Sequence, residues 1–171
     1  MLNQQEESFN QLVRENQGSI YRICRAYLYD PALADDLYQE ILYQVWKSLQ
    51  NFKGQARVNT WIYRIAVNTA ISFNRKNKQN EMVALPNSMQ FVYEDTLTPK
   101  QEQEAQVDLL RLCISKLEPA DRLIISLVLE EKSYKEIAEI TGTNINHVGV
   151  KINRIKSRLL KLMSIPEHHG I

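Results

Sequence analysis

Leu37, Ile41, Val45 and Leu49 recur at every fourth position after the pair Asp30-Pro31. Side chains four apart line one face of an α-helix, whereas a half-buried strand needs strict alternation. Similar spacing appears in Phe9, Leu12, Val13, Ile20, Ile23 and Tyr27, and again from Val58 through Trp61, Ile65, Ala66 and Thr69. The chain has only five glycines and five prolines in 171 residues, too few for a turn-rich β architecture. An all-α fold is therefore expected. Its first block holds three helices: about Glu6 to Tyr29, about Pro31 to Leu49, and Val58 to about Lys76. Proline disfavours a helical residue before it and suits a helix start, so Asp30-Pro31 separates the first two. Gly54, the only glycine between Pro31 and Lys78, marks an irregular turn before the third.

The stretch from Gln79 to Glu104 breaks the pattern. It carries Pro86, Pro99, five acidic side chains and one basic one, and its apolar residues have no clear period. It reads as a flexible linker, with room for a short ordered piece around Phe91-Val92-Tyr93. Its 26 residues could reach ~85 Å fully extended and would average about 28 Å as flexible coil.

A second helical block begins at about Ala105. Val107, Leu109, Leu110, Leu112, Cys113, Ile114 and Leu117 form an apolar helix that stops at Glu118-Pro119, and Asp121 to Leu129 forms another. Ser133-Tyr134-Lys135-Glu136 has the S-x-x-E form of a capping box. Thr141-Gly142 supplies a stop, and Asn144 caps a last helix carrying Val148, Ile152, Ile155, Leu159 and Leu162. A short helix, a glycine turn and a longer helix make a helix-turn-helix. The chain thus divides into residues 1–78, a linker at 79–104, and a four-helix unit at 105–171.

Net charge is only +1, but the average hides a segregation. From Phe52 to Lys78 there are six basic residues (Lys53, Arg57, Arg64, Arg75, Lys76, Lys78) and no acid, with Phe52, Trp61, Tyr63 and Phe73 interleaved. From Asn144 to Met163 there are five more (Lys151, Arg154, Lys156, Arg158, Lys161), again with no acid. One such run is usually a solvated helix face. Two, one of them on a helix-turn-helix and the other laced with aromatics, point to nucleic acid.

The two segments suit different forms of DNA. A helix-turn-helix sets the start of its second helix in a duplex major groove. Asn146, His147, Val150 and Lys151 are then candidates for base edges, and Lys135 and Arg154 for phosphates. The first block offers aromatics beside guanidinium and amide groups, which suit unpaired, stackable bases. Arg64, Asn68 and Arg75 lie close to one helical face. Trp61 belongs either to that face or to the core.

At this point the residues resemble a known family. Ala34-Asp35-Asp36-Leu37-Tyr38-Gln39-Glu40, Phe52-Lys53-Gly54 and Thr60-Trp61-Ile62-Tyr63-Arg64-Ile65-Ala66-Val67-Asn68-Thr69-Ala70 resemble region 2 of extracytoplasmic-function sigma factors. Leu117-Glu118-Pro119, Ser133 to Ala138 and Val148 to Arg158 are similar to region 4 of the same family. The resemblance implies two small domains, a three-helix region 2 and a four-helix region 4. It further implies binding to core RNA polymerase, with region 2 reading the minus-ten promoter element and region 4 the minus-thirty-five.

Carried over by position, Phe52, Arg64, Ile65 and Asn68 fall where the family holds a base flipped from the non-template strand. Lys53, Arg57, Trp61 and Arg75 complete that set, and the loop Lys53 to Asn59 falls where members vary promoter choice. Tyr134, Lys135, Asn146, His147, Val150, Lys151 and Arg154 form the minus-thirty-five set. Asp35, Asp36, Gln39, Glu40 and Tyr43 fall where the polymerase clamp docks. Without the resemblance, Asp35 and Asp36 read as acids that favour a helix N-terminus. The acidic linker matches a segment that in the family threads toward the RNA exit channel.

A separate anti-sigma inhibitor is an expected partner. Two departures are visible: Val58 stands where members often have an aromatic residue, and Gly149 where many carry a cation. The glycine costs ~1 kcal/mol of helix propensity relative to alanine.

The rival reading is a polymerase-independent helix-turn-helix regulator, which accounts for residues 133–163 but leaves 52–78 without a role. An enzyme is disfavoured, because the acids gather in the second helix and linker, away from both basic segments. No catalytic residue, metal, cofactor or small-molecule substrate is expected. Cys24 and Cys113 stand far apart, and His168-His169 lie in a tail. No run reaches the ~18 apolar residues that span a bilayer, and the polar, acidic N-terminus is no signal peptide. A cytoplasmic location, with no insertion into membrane, follows.

Overall fold

A computed structural model describes residues 3–28, 30–77 and 98–165. Among the described residues there are seven helices and no strand: α1 (Gln4–Tyr27), α2 (Pro31–Leu49), α3 (Val58–Asn77), α4 (Pro99–Ser115), α5 (Pro119–Leu129), α6 (Tyr134–Thr141) and α7 (Ile145–Ser164). The expected first-helix end at Tyr29, the ordered piece at Phe91-Val92-Tyr93, Lys78 and the histidine tail lie outside the described residues.

Side chains start most of the helices. Asn3 and Glu6 form a capping box on α1, Asp30 caps α2 ahead of Pro31, and Ser133 and Glu136 form the box expected on α6. Each satisfies backbone amides that a helix start leaves without partners. Gly142 closes α6 at φ 71°, a left-handed conformation that costs glycine nothing and most residues about 1 kcal/mol.

One boundary differs clearly from the sequence expectation. The second block begins at Pro99, six positions before Ala105, so the expected linker loses its last residues to α4. Thr98 and Gln101 form a capping box there, and Pro99 occupies the first turn. The opening of α4 is polar and largely exposed; capping rather than burial starts it.

In the first block α2 packs against both α1 and α3, and Ile20, Ile23, Leu37, Ile41, Val45 and Ile62 are almost fully buried. Each such side chain contributes about 1.5–3 kcal/mol by leaving water. In the second block Cys113, Ile114, Leu117, Ile125, Ile155 and Leu159 form a cluster beneath α4 and α7. Burial pushes the Cys24 thiol up to about 12 and raises that of Cys113, so neither is a ready nucleophile.

The two blocks touch. α1 lies against α5 and α3 against α6, and one apolar cluster runs from Ile20, Tyr27 and Tyr63 to Leu123, Leu127, Ile137 and Ile140.

Candidate nucleic-acid interface

The buried face of α3 carries Ile62, Tyr63, Ala66, Val67 and Ala70. That burial fixes the helix rotation and turns Arg64 and Asn68 to solvent, with Trp61 and Ile65 half-buried at the margin. Neither Arg64 nor Asn68 makes a side-chain hydrogen bond to another described residue. Phe52, just after α2, sets its ring 4.7 Å from that of Trp61 at 38°. Trp61 is half-buried, packed against the core on one side and against Phe52 on the other. Lys53 and Arg57 are exposed on the connecting loop, where Gly54 takes φ 71°, and Arg75 is exposed two turns beyond Asn68. The expected set thus shares one side of α3 and the loop before it. A ring pair beside an amide and a guanidinium can stack on a base and hydrogen-bond its edge.

In the second block Asn144 accepts a hydrogen bond from the His147 backbone amide at 2.8 Å, fixing the start of α7. Val148, Ile152, Ile155 and Leu159 are buried, which leaves Asn146, His147, Val150 and Arg154 exposed along the opposite side. Val150 is 58% exposed and Ile145 48%; apolar groups at the start of such a helix suit thymine methyls. Tyr134 and Lys135 are exposed at the start of α6. A Cβ on Gly149 would stand 3.7 Å from the Tyr134 ring, an ordinary contact, so sterics do not demand glycine there. Lys151 is placed differently from its neighbours: half-buried, it reaches Asp121 at 3.4 Å and ties α7 to α5.

The acidic helix divides into two faces. Asp30 already serves the N-terminus of α2, so Asp36, in the second turn, has no capping task. Asp36, Gln39 and Tyr43 are exposed at i, i+3 and i+7, with Tyr43 56% exposed. Glu40 is half-buried and accepts from the Gln44 amide at 2.8 Å. Asp35 faces elsewhere: it accepts from the Tyr21 hydroxyl at 3.0 Å, and Tyr21 packs edge-on against Tyr38. Among the described residues, no group of three or more His, Cys, Asp or Glu side chains is placed to hold a metal. No helix there is long and apolar enough to cross a membrane.

The Sigma-70 region 2 family model matches residues 12–80, and the Sigma-70 region 4 model matches residues 108–159. The chain belongs to the extracytoplasmic-function RNA polymerase sigma factors. It is an alternative sigma factor, a protein that directs promoter recognition and transcription initiation. This sigma factor is 28% identical over 153 residues to RNA polymerase sigma factor SigV of Bacillus subtilis, covering 90% of this chain and 87% of that one. To ECF RNA polymerase sigma factor SigW of the same organism it is 27% identical over 169 residues, covering 91% and 89%. It is also 28% identical to ECF RNA polymerase sigma factor SigE of Mycolicibacterium smegmatis over 156 residues, but spans only 60% of that protein's length.

Two solved structures share the fold. The sigma factor RpoE, in complex with the anti-sigma factor NepR from Bartonella quintana, superposes with a TM-score of 0.70 at 19% identity, covering 94% of this chain and 99% of that one. CnrH, in complex with the cytosolic domain of CnrY, superposes with a TM-score of 0.64 at 20% identity, covering 92% and 88%. The family models match both blocks, so the rival of a lone helix-turn-helix regulator is not favoured.

Sequence reasoning missed a group of long-range contacts. Arg22, Arg122, Glu130 and Lys132 join the two blocks, and no local period or motif marks them.

Proposed function

We propose that this sigma factor reads a melted minus-ten element with Phe52, Trp61, Arg64, Ile65 and Asn68, supported by Lys53, Arg57 and Arg75. On this reading α7 reads a duplex minus-thirty-five element through Asn146, His147 and Val150. Lys135, Arg154 and the Tyr134 hydroxyl approach phosphates, and Lys151 steadies α7 through Asp121. Core RNA polymerase docks on the face of α2 formed by Asp36, Gln39 and Tyr43, with Glu40 at its margin. Asp35 contributes least, because Tyr21 already engages it. The first domain ends near residue 78, and the second begins at Thr98.

The observation that carries the reading is the outer side of α3. A tilted pair of aromatic rings there stands beside an exposed guanidinium and amide that make no side-chain hydrogen bond to another described residue. Unpaired bases offer the faces and edges such groups need. The protein acts in the cytoplasm, performs no catalysis of its own, and is held in check by an anti-sigma protein, a partner class supported by the solved complex of RpoE with the anti-sigma factor NepR.

Gel filtration with purified bacterial core RNA polymerase tests the reading. The chain should co-elute with core at one copy per enzyme. Failure to co-elute, together with tight sequence-specific binding to duplex DNA as a homodimer, would instead support an operator-binding regulator.

A further inference from the structure

We infer that Gly149 opens an apolar notch on α7, and that the notch selects a thymine of the upstream duplex element by its 5-methyl group. The inference rests on the promoter reading proposed above and names what one position of that site recognises.

The fold itself gives no reason for this glycine. Gly149 sits in the second turn of α7, and glycine weakens a helix more than any residue except proline. Positive φ among the described glycines is confined to Gly54 and Gly142, so the backbone makes no demand for glycine here. Packing makes none either: beyond its own turn of helix, an added Cβ would meet only the Tyr134 ring, at an ordinary 3.7 Å. A residue that weakens its helix and relieves no contact inside the protein suits something outside that approaches the backbone closely.

The surroundings identify that group. Positions four apart are neighbours on a helix surface, so Ile145 stands one turn before Gly149 and the exposed Asn153 one turn after it. Val150 adjoins, and Tyr134 of α6 closes the remaining side. Ile145, Val150 and Tyr134 are 48%, 58% and 38% exposed, an apolar rim on a helix whose first three turns otherwise expose only polar and basic side chains. The missing Cβ leaves room for one methyl-sized group. In the major groove thymine is the base that presents a methyl, beside an O4 acceptor that the Asn153 amide can meet.

Deoxyuridine differs from thymidine by that methyl alone, and it tests the notch. Promoters recovered by run-off transcription are remade with single deoxyuridines through the duplex upstream element, on either strand. Binding of the holoenzyme, reconstituted from core polymerase and the full chain, is then measured by competition. At one position deoxyuridine should weaken binding about fourfold, the worth of one buried methyl-sized group. Gly149→Ala fills the notch. It should bind the thymine promoter about fourfold more weakly than wild type, no longer distinguish uracil from thymine at that position, and melt at the same temperature or higher. Equal binding of every uracil-bearing promoter by the wild type overturns the notch, as does an upstream element that contains no thymine. Undiminished discrimination in Gly149→Ala overturns it too, and a lower melting temperature would show that the fold uses the glycine after all. A wild-type holoenzyme that transcribes no promoter would instead overturn the sigma reading on which the notch depends.

Discussion

The Arg122 guanidinium joins the C-terminal ends of two helices: it donates to the Tyr27 carbonyl of α1, 95 positions away, at 2.7 Å and to the Ser115 and Leu117 carbonyls at the end of α4 and just after it, at 3.2 and 3.1 Å. Its partners are carbonyls rather than a carboxylate, a natural arrangement where helices present partial negative charge at their C-termini. Burial lowers its pKa from the ordinary value, yet arginine remains charged. Charged hydrogen bonds of this kind are worth about 1.5–3 kcal/mol. Arg122→Met should lower the unfolding free energy by about 2 kcal/mol in urea titration. Arg122→Lys should recover less than half, because an ammonium cannot reproduce the fork.

Asn68→Ala should separate melting from duplex binding. The side chain is exposed on α3, so its loss should change stability by less than about 0.5 kcal/mol. Permanganate reactivity of promoter thymines in the polymerase complex should fall about tenfold, while protection of the upstream duplex element persists. Equal loss of both signals would remove Asn68 from the base pocket.

Asp36→Lys should weaken binding to core polymerase about tenfold, measured by fluorescence titration. Asp35→Lys should weaken it less and instead lower thermal stability, since Asp35 accepts from Tyr21. The reverse ranking would assign the docking face to the other side of α2.

Acid should loosen the second domain and its seam first. The hydrogen bond from Arg22 holds the Glu130 carboxyl below its ordinary value of 4.5, and the Ser133 backbone amide does the same for Glu136. A depressed folded value means the stabilisation is complete above the unfolded value and is lost as pH falls through the folded one. Melting temperature should therefore hold down to about pH 5 and decline below it. Glu130→Gln combined with Glu136→Gln should start lower and decline less steeply over the same range.

Ser133→Ala removes the α6 capping box, in which the Glu136 amide donates to the serine hydroxyl at 3.1 Å and Glu136 accepts from the Ser133 amide at 2.7 Å. The expected cost is about 1 kcal/mol in unfolding free energy. Ser133→Asp should recover most of it, as read by thermal melts.

Local chemistry made most of the helices legible. Proline after Asp30, serine three before Glu136 and glycine after Thr141 are signals within one turn of chain, and α2, α6 and α7 follow them. The start of α4 was missed because its early turns bury little; Thr98, Pro99 and Gln101 carried the signal, in a stretch whose acids and proline read as linker. The apolar stripe expected on α3 was rotated from the observed one: of Val58, Trp61, Ile65, Ala66 and Thr69 only Ala66 is buried, beside Ile62, Tyr63, Val67 and Ala70. The contact of Lys151 with Asp121 was not legible, because it crosses a helix interface that no local spacing encodes. The seam was illegible for the same reason: Arg22 and Glu130 are 108 positions apart.

Run-off transcription on fragmented genomic DNA, with purified core RNA polymerase and with or without this protein, tests the central claim most directly. Discrete new transcripts that require both components, and that shift or vanish with Asn68→Ala and Asp36→Lys, are the predicted result. An active core that yields no new transcripts, beside a chain that binds specific duplex sites alone, would contradict it.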